Sequence, residues 1–261
     1  MKLNKILAGA CAALMLTAAC GSEKSNDNKD AIEFECYSFD VLAQYPDSLI
    51  SPEEGGKYCR VTGNGVLPVR INDCDIVALR DTLCKMARVI MLSRNNAQPY
   101  LEDGLSIISQ NSDSVNACSI ETNTLAVDLV TPRLVVWKNF GFSYPCGAAH
   151  GIYATTFLNY SIQKGCILSL NDIFRPGYEE DLVEVLRRKL EAEDLTLLVS
   201  PSEIGVPADF RITTDGIEFV YGLYEIAPYS EGEVKVEIAR YEIEDLFAPG
   251  AEDMLFGDST D

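Results

Sequence analysis

The sequence predicts an α+β fold, in which antiparallel sheets pack against a few helices. Apolar and polar residues alternate around Ile217 and Phe219, which is the period of a half-buried strand. Elsewhere Leu182, Leu186 and Leu190 recur four residues apart, which is the period of an amphipathic helix. An antiparallel meander with a helix on one face is the natural assembly of such segments.

An N-terminal α+β subdomain is predicted over residues 32–133. Its first strand covers 31–39 and places Ile32, Phe34 and Cys36 on one side. Further segments are strands near 57–62 and 67–71, a loop at 95–104, and two or three strands within the β-rich runs 105–109, 115–121 and 125–137.

One helix is predicted in this subdomain. Asn72 or Asp73 is expected to cap it, and it continues to about Leu92. Its apolar stripe consists of Ile76, Leu79, Leu83, Ala87 and Ile90.

A C-terminal subdomain is predicted over residues 134–248. A helix over 179–193 begins with acidic residues, which suit the positive end of its dipole. The Asp215-Gly216 pair is a hairpin signal. The strands are expected at 153–162, at 166–168 after a Lys164-Gly165 turn, and at 210–213, 217–223 and 234–238. Residues 249–261 are expected to form a loose acidic tail.

The composition is acidic, with 21 Lys and Arg against 40 Asp and Glu and a formal net charge of −19. This balance argues against nucleic acid and against an anionic membrane face as partners, because both require clustered cations. Hydrophobic residues make up 47%, enough for a folded core. The single histidine, His150, excludes His-rich metal centres and mechanisms that need two histidines; no cofactor or metal is predicted.

The first 19 residues predict a lipoprotein signal peptide. Lys2 and Lys5 precede the apolar run 6–19, whose helical length of about 21 Å is too short for a hydrocarbon core of about 30 Å. The sequence Leu-Thr-Ala-Ala-Cys ending at Cys20 resembles a bacterial lipobox, in which that cysteine is lipidated. The alternative is an ordinary secretory signal with a chance cysteine.

Cleavage before Cys20 would place the protein in the cell envelope, periplasmic or surface-exposed, with the lipid as its only membrane contact. Residues 20–31 would be a polar flexible tether. Loss of Lys2 and Lys5, with no acid lost, deepens the net charge to −21.

Seven cysteines follow Cys20, and their odd number leaves at least one free thiol. Cys74 and Cys84 lie about 15 Å apart along the predicted helix, too far to bridge. Cys146 and Cys166 can meet if their flanking strands pair. The others are expected to be small buried side chains.

His150 lies in the segment Cys-Gly-Ala-Ala-His-Gly at 146–151. A histidine in a turn suits a general base or a metal ligand, and Cys146 is a candidate co-ligand. Zinc, however, takes three or four protein ligands, and no nearby pattern supplies them. The favoured interpretation is structural: Gly147 and Gly151 permit a tight turn that the imidazole holds by hydrogen bonding.

Glu225 lies in the aromatic segment 221–229, beside Tyr224 and Tyr229. A carboxylate among tyrosine rings suits binding of sugar hydroxyls, or it can accept hydrogen bonds from backbone amides at a turn. The candidate binding residues are therefore His150, Tyr224, Glu225 and Tyr229. No Gly-x-Ser-x-Gly or phosphate-binding glycine loop is present in the sequence, and no catalytic residue is assigned.

The segments 142–151, 170–174, 210–221, 224–229 and 234–238 carry a family resemblance. In this order they resemble the RsiV-like extracytoplasmic domain, which is also the non-catalytic part of the peptidoglycan deacetylase PdaC and is common in Bacteroidetes lipoproteins of unknown function. The family usually has Gly-Gly-Ala-His-Gly where this chain has Gly-Ala-Ala-His-Gly. The resemblance implies an α+β ectodomain, and a known member senses envelope stress by binding lysozyme.

These observations favour a lipid-anchored, non-enzymatic module that binds a lysozyme-like cationic protein or cell-wall glycan, that is, peptidoglycan. One alternative is a carbohydrate hydrolase that uses Glu225 and a second carboxylate. Another is a structural envelope lipoprotein without a small ligand.

Overall fold

The computed structural model describes residues 31–44, 58–93, 96–99, 119–145 and 148–257. Over these ranges the chain has the predicted α+β fold. The strands are β1 (Ile32–Gln44), β2 (Tyr58–Ile71), β3 (Val89–Ser93), β4 (Asn96–Pro99), β5 (Ser119–Val130), β6 (Leu134–Pro145), β7 (Ile152–Ser161), β8 (Cys166–Ile167), β9 (Asp209–Ile212), β10 (Gly216–Tyr221) and β11 (Val234–Ala239). The helices are α1 (Val77–Met86), α2 (Leu170–Ile173), α3 (Glu179–Glu191) and α4 (Ala251–Phe256).

A six-stranded sheet in the order β1-β2-β5-β6-β7-β8 forms the centre of the fold. Its neighbours are antiparallel except for β2 and β5, which run parallel. A parallel pair requires a long crossover, and here that connection carries α1 and the β3–β4 hairpin. The sheet continues across residues 133 and 134, where the sequence predicts the boundary between subdomains.

A second sheet, in the order β11-β10-β9, packs against α3. The predicted stripe Leu182, Leu186 and Leu190 is fully buried there, and the acidic first turn of α3 is as expected. β10 is buried along its whole length, and Ile217, Phe219 and Tyr221 lie in the same core as α3. A separate core on the other face of the central sheet includes Trp137 and residues of α1.

Asn159 joins the two sheets. Its side-chain amide donates to the carbonyl oxygen of Phe210 at 2.9 Å, and its amide oxygen accepts from the backbone N–H of Ile212 at 2.9 Å. The side chain thus supplies the two hydrogen bonds that a neighbouring strand would supply to β9. This bridge fixes the second sheet against β7 and so positions the segments that follow β10.

Two predictions about the region after β2 are wrong. The helix begins at Val77 because Asn72, at φ 48°, turns the chain after β2 and does not cap a helix. It ends at Met86 because Arg88, at φ 54°, leaves the helical region of backbone space. Ile90 consequently lies exposed in β3. Residues 96–99 form β4, which pairs with β3 where a loop is predicted.

The predicted face of β1 is wrong beyond Phe34. Cys36 is exposed, whereas Tyr37 is buried in the core. The alternation shifts by one residue next to the β-bulge at Glu33 and Phe34. A bulge of this kind cannot be predicted from the alternation of apolar and polar residues. Cys166 is also exposed, and Cys146, with which the sequence allows it to meet, lies outside the described residues.

The tail predicted to be loose from Pro249 is ordered as far as Gly257. Its helix α4 buries Met254 and Leu255 in the same core as α3. This packing stabilises the segment, although its acidic composition predicts a loose tail. In the ranges given above no helix is both long and apolar enough to cross a membrane. The signal peptide, Cys20, the tether, Cys146, Gly147, residues 258–261 and the strands predicted within 105–118 lie outside the described residues.

Candidate functional site

His150, Tyr224 and Tyr229 meet at the surface beside the start of β7. The imidazole of His150 stacks on the ring of Tyr229, with centroids 4.0 Å apart and planes 25° apart. The hydroxyl of Tyr224 lies 3.2 Å from Nε2 of His150. We call these three side chains the aromatic surface; His150 and Tyr224 are exposed, Tyr224 by 50%, and Tyr229 is half-buried.

The carbonyl oxygen of Gly151 holds two of the three rings. It accepts a hydrogen bond from the hydroxyl of Tyr229 at 2.9 Å and lies 3.0 Å from Nδ1 of His150. A carbonyl can only accept, so Nδ1 carries the proton in this arrangement and Nε2 accepts from the hydroxyl of Tyr224. The imidazole therefore has a defined tautomer and orientation although it is exposed.

Gly151 is required at its position for space. A Cβ there would collide with the ring of Phe142, which lies against the Gly151 backbone. The sequence interpretation of a histidine held by hydrogen bonding next to glycine agrees with this geometry. The reason for the glycine is close approach of a ring, and not an unusual φ angle.

The turn after β10 presents Tyr224. The backbone N–H of Glu225 donates to the carbonyl of Gly222 at 3.1 Å, which closes a β-turn with Tyr224 at its third position. Tyr224 has a φ of 64°, a left-handed conformation that is costly for a tyrosine. A strained exposed aromatic residue in a braced turn is typical of a functional position.

Glu225 braces that turn. Its Oε2 accepts the backbone N–H of Gly222 at 2.7 Å, which is one of the two roles that the sequence leaves open. The side chain is exposed, and its charge contributes to the field around the aromatic surface. Of the four predicted binding residues, three form one contact cluster and the fourth shapes the turn that carries one of them.

Two further rings continue the aromatic surface into the protein. Tyr153 lies 6.3 Å from Tyr229 between ring centroids, and Phe140 lies 6.0 Å from Tyr153. Both are on the face of the central sheet that carries Asn159. Gly232 passes beside them at φ 75°, where a Cβ would lie 2.9 Å from the Tyr153 hydroxyl. The alternation of residues in β7 could have identified Tyr153 from the sequence as a residue of this face. Phe140 lies on the same face because β6 pairs with β7.

A group of carboxylates lies behind the turn. Asp209 has its pKa raised, first by burial and then by the charges of Glu225 and Glu233, against a lowering hydrogen bond from the backbone of Phe157. Glu233 accepts from the backbone N–H of Thr155. Asp209 and Glu233 thus accept hydrogen bonds from backbone amides of β7, at Phe157 and Thr155. Over the described ranges no group of three or more His, Cys, Asp or Glu side chains is arranged to hold a metal ion.

Comparisons with known proteins match part of the chain to one protein family. Residues 171–241 match the family model described as protein of unknown function, DUF3298, which includes Tyr224 and Tyr229 and excludes His150. A search of curated proteins found no match.

The structure is similar to the crystal structure of a DUF3298 family member from Bacteroides fragilis, with a TM-score of 0.62, 25% identity, and coverage of 87% of this chain and 99% of that one. It is also similar to a DUF3298 family protein from Pseudomonas aeruginosa, with a TM-score of 0.56, 20% identity, and coverage of 87% and 98%. The chain therefore carries a DUF3298 domain at residues 171–241 within a fold shared with DUF3298 proteins of known structure.

Proposed function

We propose that this protein is a non-enzymatic binding module of the cell envelope, anchored by a lipid on Cys20, which recognises a lysozyme-like cationic protein. The observation that carries the proposal is the aromatic surface, in which exposed rings are held in place before any partner arrives. Tyrosine is enriched among residues that dominate binding energy. Rings already ordered lose little conformational entropy on association.

The charge around the aromatic surface supports a cationic partner. Residues 221–234 contain three acids, Glu225, Glu231 and Glu233, and neither Lys nor Arg. A lysine or arginine that reaches the face of Tyr224 would gain cation–π attraction in this acidic setting. The net charge of −19 adds long-range attraction for a basic protein.

The RsiV-like resemblance also supports the proposal. The family match stops at DUF3298, so the link to RsiV and PdaC is itself part of what we propose. The resemblance covers residues 134–248 and includes all three members of the aromatic surface. An envelope location is consistent with the lipobox that ends at Cys20.

Binding of lysozyme to the intact protein over a salt series tests the proposal. The affinity is expected to be measurable at about 50 mM salt and to fall as salt rises, because exposed charges are progressively screened. Absence of binding at low salt would reject the lysozyme-like partner. Retention on insoluble peptidoglycan in the same experiment would instead identify cell-wall glycan as the ligand of the aromatic surface.

One observation favours the hydrolase alternative. Asp209 has a raised pKa and lies close enough to Glu225 to respond to its charge, which is the kind of carboxylate pair that can divide acid and base roles. If this pair is catalytic, Asp209→Asn abolishes release of reducing sugar from peptidoglycan. No release by the wild-type protein would remove the alternative.

The lipid anchor has its own test. Cys20→Ser is expected to abolish incorporation of a radiolabelled fatty acid and to release the protein from the membrane fraction. Cys11→Ser is the matched control, since it lies within the predicted signal peptide and its loss is expected to leave labelling unchanged.

A further inference from the structure

The aromatic surface is too small to hold a folded partner by itself. Stable protein–protein interfaces bury about 800 Å² on each partner and involve about 20–30 residues a side. The aromatic surface consists of three side chains, one of which is half-buried. A protein that binds there must therefore contact further surface, and the structure indicates where that surface lies.

One face of the central sheet contains no buried residue over four strands. Strand register places four residues of each strand on the face that carries Asn159. They are the alternate residues of β1 from Cys36 to Leu42, of β2 from Arg60 to Val66, of β5 from Ile120 to Ala126 and of β6 from Lys138 to Tyr144. All sixteen are exposed or half-buried, and we call them the open face. On β7 the same face is closed, because Asn159 is buried there and bonded to β9.

The open face meets the aromatic surface at β6. Phe140 lies 6.0 Å from Tyr153 between ring centroids, and Tyr153 lies 6.3 Å from Tyr229. Phe142 packs against the backbone of Gly151, whose carbonyl oxygen accepts from the hydroxyl of Tyr229. Together the two surfaces present nineteen residues, close to the roughly 20–30 of a standard interface.

The charges are distributed as in a protein interface, with few on the open face and acids beside it. Asp40 and Arg60 form an ion pair at 2.7 Å, and Lys138 is the other charged residue of the open face. The remaining thirteen residues are uncharged. The three acids of segment 221–234 lie on the side of the aromatic surface. Interface cores are depleted of charge and rich in aromatic residues, whereas their rims are polar.

We propose that the open face is the main contact surface for the cationic partner, which lies across β6, β5, β2 and β1 and contacts the aromatic surface at its edge. This inference rests on the proposed function, whose partner it adopts. The uncharged open face supplies apolar and hydroxyl-bearing area that binding removes from water. The acids of segment 221–234 attract the lysines and arginines of the partner. A second copy of this chain fits less well, because two chains of net charge −19 repel each other.

Alkylation of the intact, reduced protein by iodoacetamide tests the inference without any substitution. Cys36 is exposed on β1, about 19 Å from β7 at about 4.8 Å per strand. Cys166 is exposed on β8, beyond β7, and serves as the internal control. With lysozyme at about ten times its Kd, the alkylation rate of Cys36 should fall about tenfold, since only the free protein reacts. The rate at Cys166, measured by mass spectrometry in the same sample, should not change.

Asn64→Lys and Thr82→Lys form a matched pair of variants. Both positions are exposed and both changes add one positive charge. Asn64 belongs to the open face, whereas Thr82 lies on α1, which packs into the core on the other face of the sheet. By calorimetry at about 50 mM salt, Asn64→Lys should weaken lysozyme binding at least about tenfold through like-charge contact, and Thr82→Lys should stay within about twofold of wild type.

Two results would overturn the inference and leave the proposed function intact. One is lysozyme binding that depends on Tyr224 but leaves the alkylation rate of Cys36 unchanged. The other is equal affinity of Asn64→Lys and Thr82→Lys for lysozyme. Protection of Cys36 in the protein alone, relieved by dilution, would identify a second copy as the occupant and would also overturn the inference. Absence of lysozyme binding by the wild-type protein would reject the proposed function itself, and this inference with it.

Discussion

His150 and Tyr229 form a stacked pair, 4.0 Å between ring centroids, whose two polar groups share the carbonyl oxygen of Gly151. The pair lies at the surface, yet its geometry is as defined as that of core side chains. The only histidine of the chain is therefore held in one orientation at the surface. The glycine that follows it leaves room for the ring of Phe142.

Removing the Tyr229 hydroxyl tests how this pair is held. Tyr229→Phe keeps the ring and loses the bond to Gly151, so the free energy of unfolding should fall by about 0.5–1.5 kcal/mol in urea titration. Tyr241→Phe is the control, because the Tyr241 side chain is 72% exposed. Equal effects of the two changes would mean that the Gly151 bond is not formed in solution.

Gly151→Ala tests the close approach of Phe142. The added methyl forces the ring away, and overpacking of this kind costs about 1–3 kcal/mol. Gly205→Ala, where a Cβ would meet no atom within 4 Å, should change stability by less than about 0.5 kcal/mol. The free energy of unfolding of both variants is measured by thermal or urea unfolding. An unchanged value for Gly151→Ala would contradict the packing of Phe142 against Gly151.

Asn159→Ala tests the bridge between the two sheets. Asn159 is 2% exposed, and its removal leaves the carbonyl of Phe210 and the N–H of Ile212 buried without partners. The expected loss is about 2–6 kcal/mol, since each of the two orphaned groups costs about 1–3 kcal/mol. A loss below that of exposed Asn64→Ala would show that water replaces the amide without cost.

Asp209→Asn has a pH-dependent prediction. Burial and the neighbouring Glu225 and Glu233 raise the pKa of Asp209 in the folded state, so the wild-type protein loses stability as pH rises through that pKa. Asparagine has no such loss. The stability of the variant relative to wild type should therefore increase between about pH 3 and pH 7, measured by urea unfolding at each pH. A constant difference would contradict the raised pKa.

Local patterns were sufficient for helix α3 and for the turn between β9 and β10. The stripe of Leu182, Leu186 and Leu190 and the Asp215-Gly216 turn lie where their spacing predicts, because each depends on neighbours within a few residues. The parallel pairing of β2 with β5 and the bridge through Asn159 depend on residues that are distant in the chain. No local pattern contains that information.

The candidate site was predictable as a set of residues and not as an arrangement. His150 and Tyr224 are 74 residues apart, and their contact at 3.2 Å depends on the packing of the second sheet on β7. The positive φ of Tyr224 could not be predicted from the sequence either, because tyrosine does not favour that conformation. The helix after β2 was misjudged because the turns at Asn72 and Arg88 override an apolar spacing that continues on both sides.

The most direct test of the central claim is the affinity for lysozyme of Tyr224→Ala compared with Tyr241→Ala, by calorimetry at about 50 mM salt. Both changes remove an exposed tyrosine, and only Tyr224 belongs to the aromatic surface. We predict at least about a tenfold weaker affinity for Tyr224→Ala, corresponding to about 1.4 kcal/mol, and no change for Tyr241→Ala. Equal affinities for the two variants would contradict the assignment of the aromatic surface as the binding site.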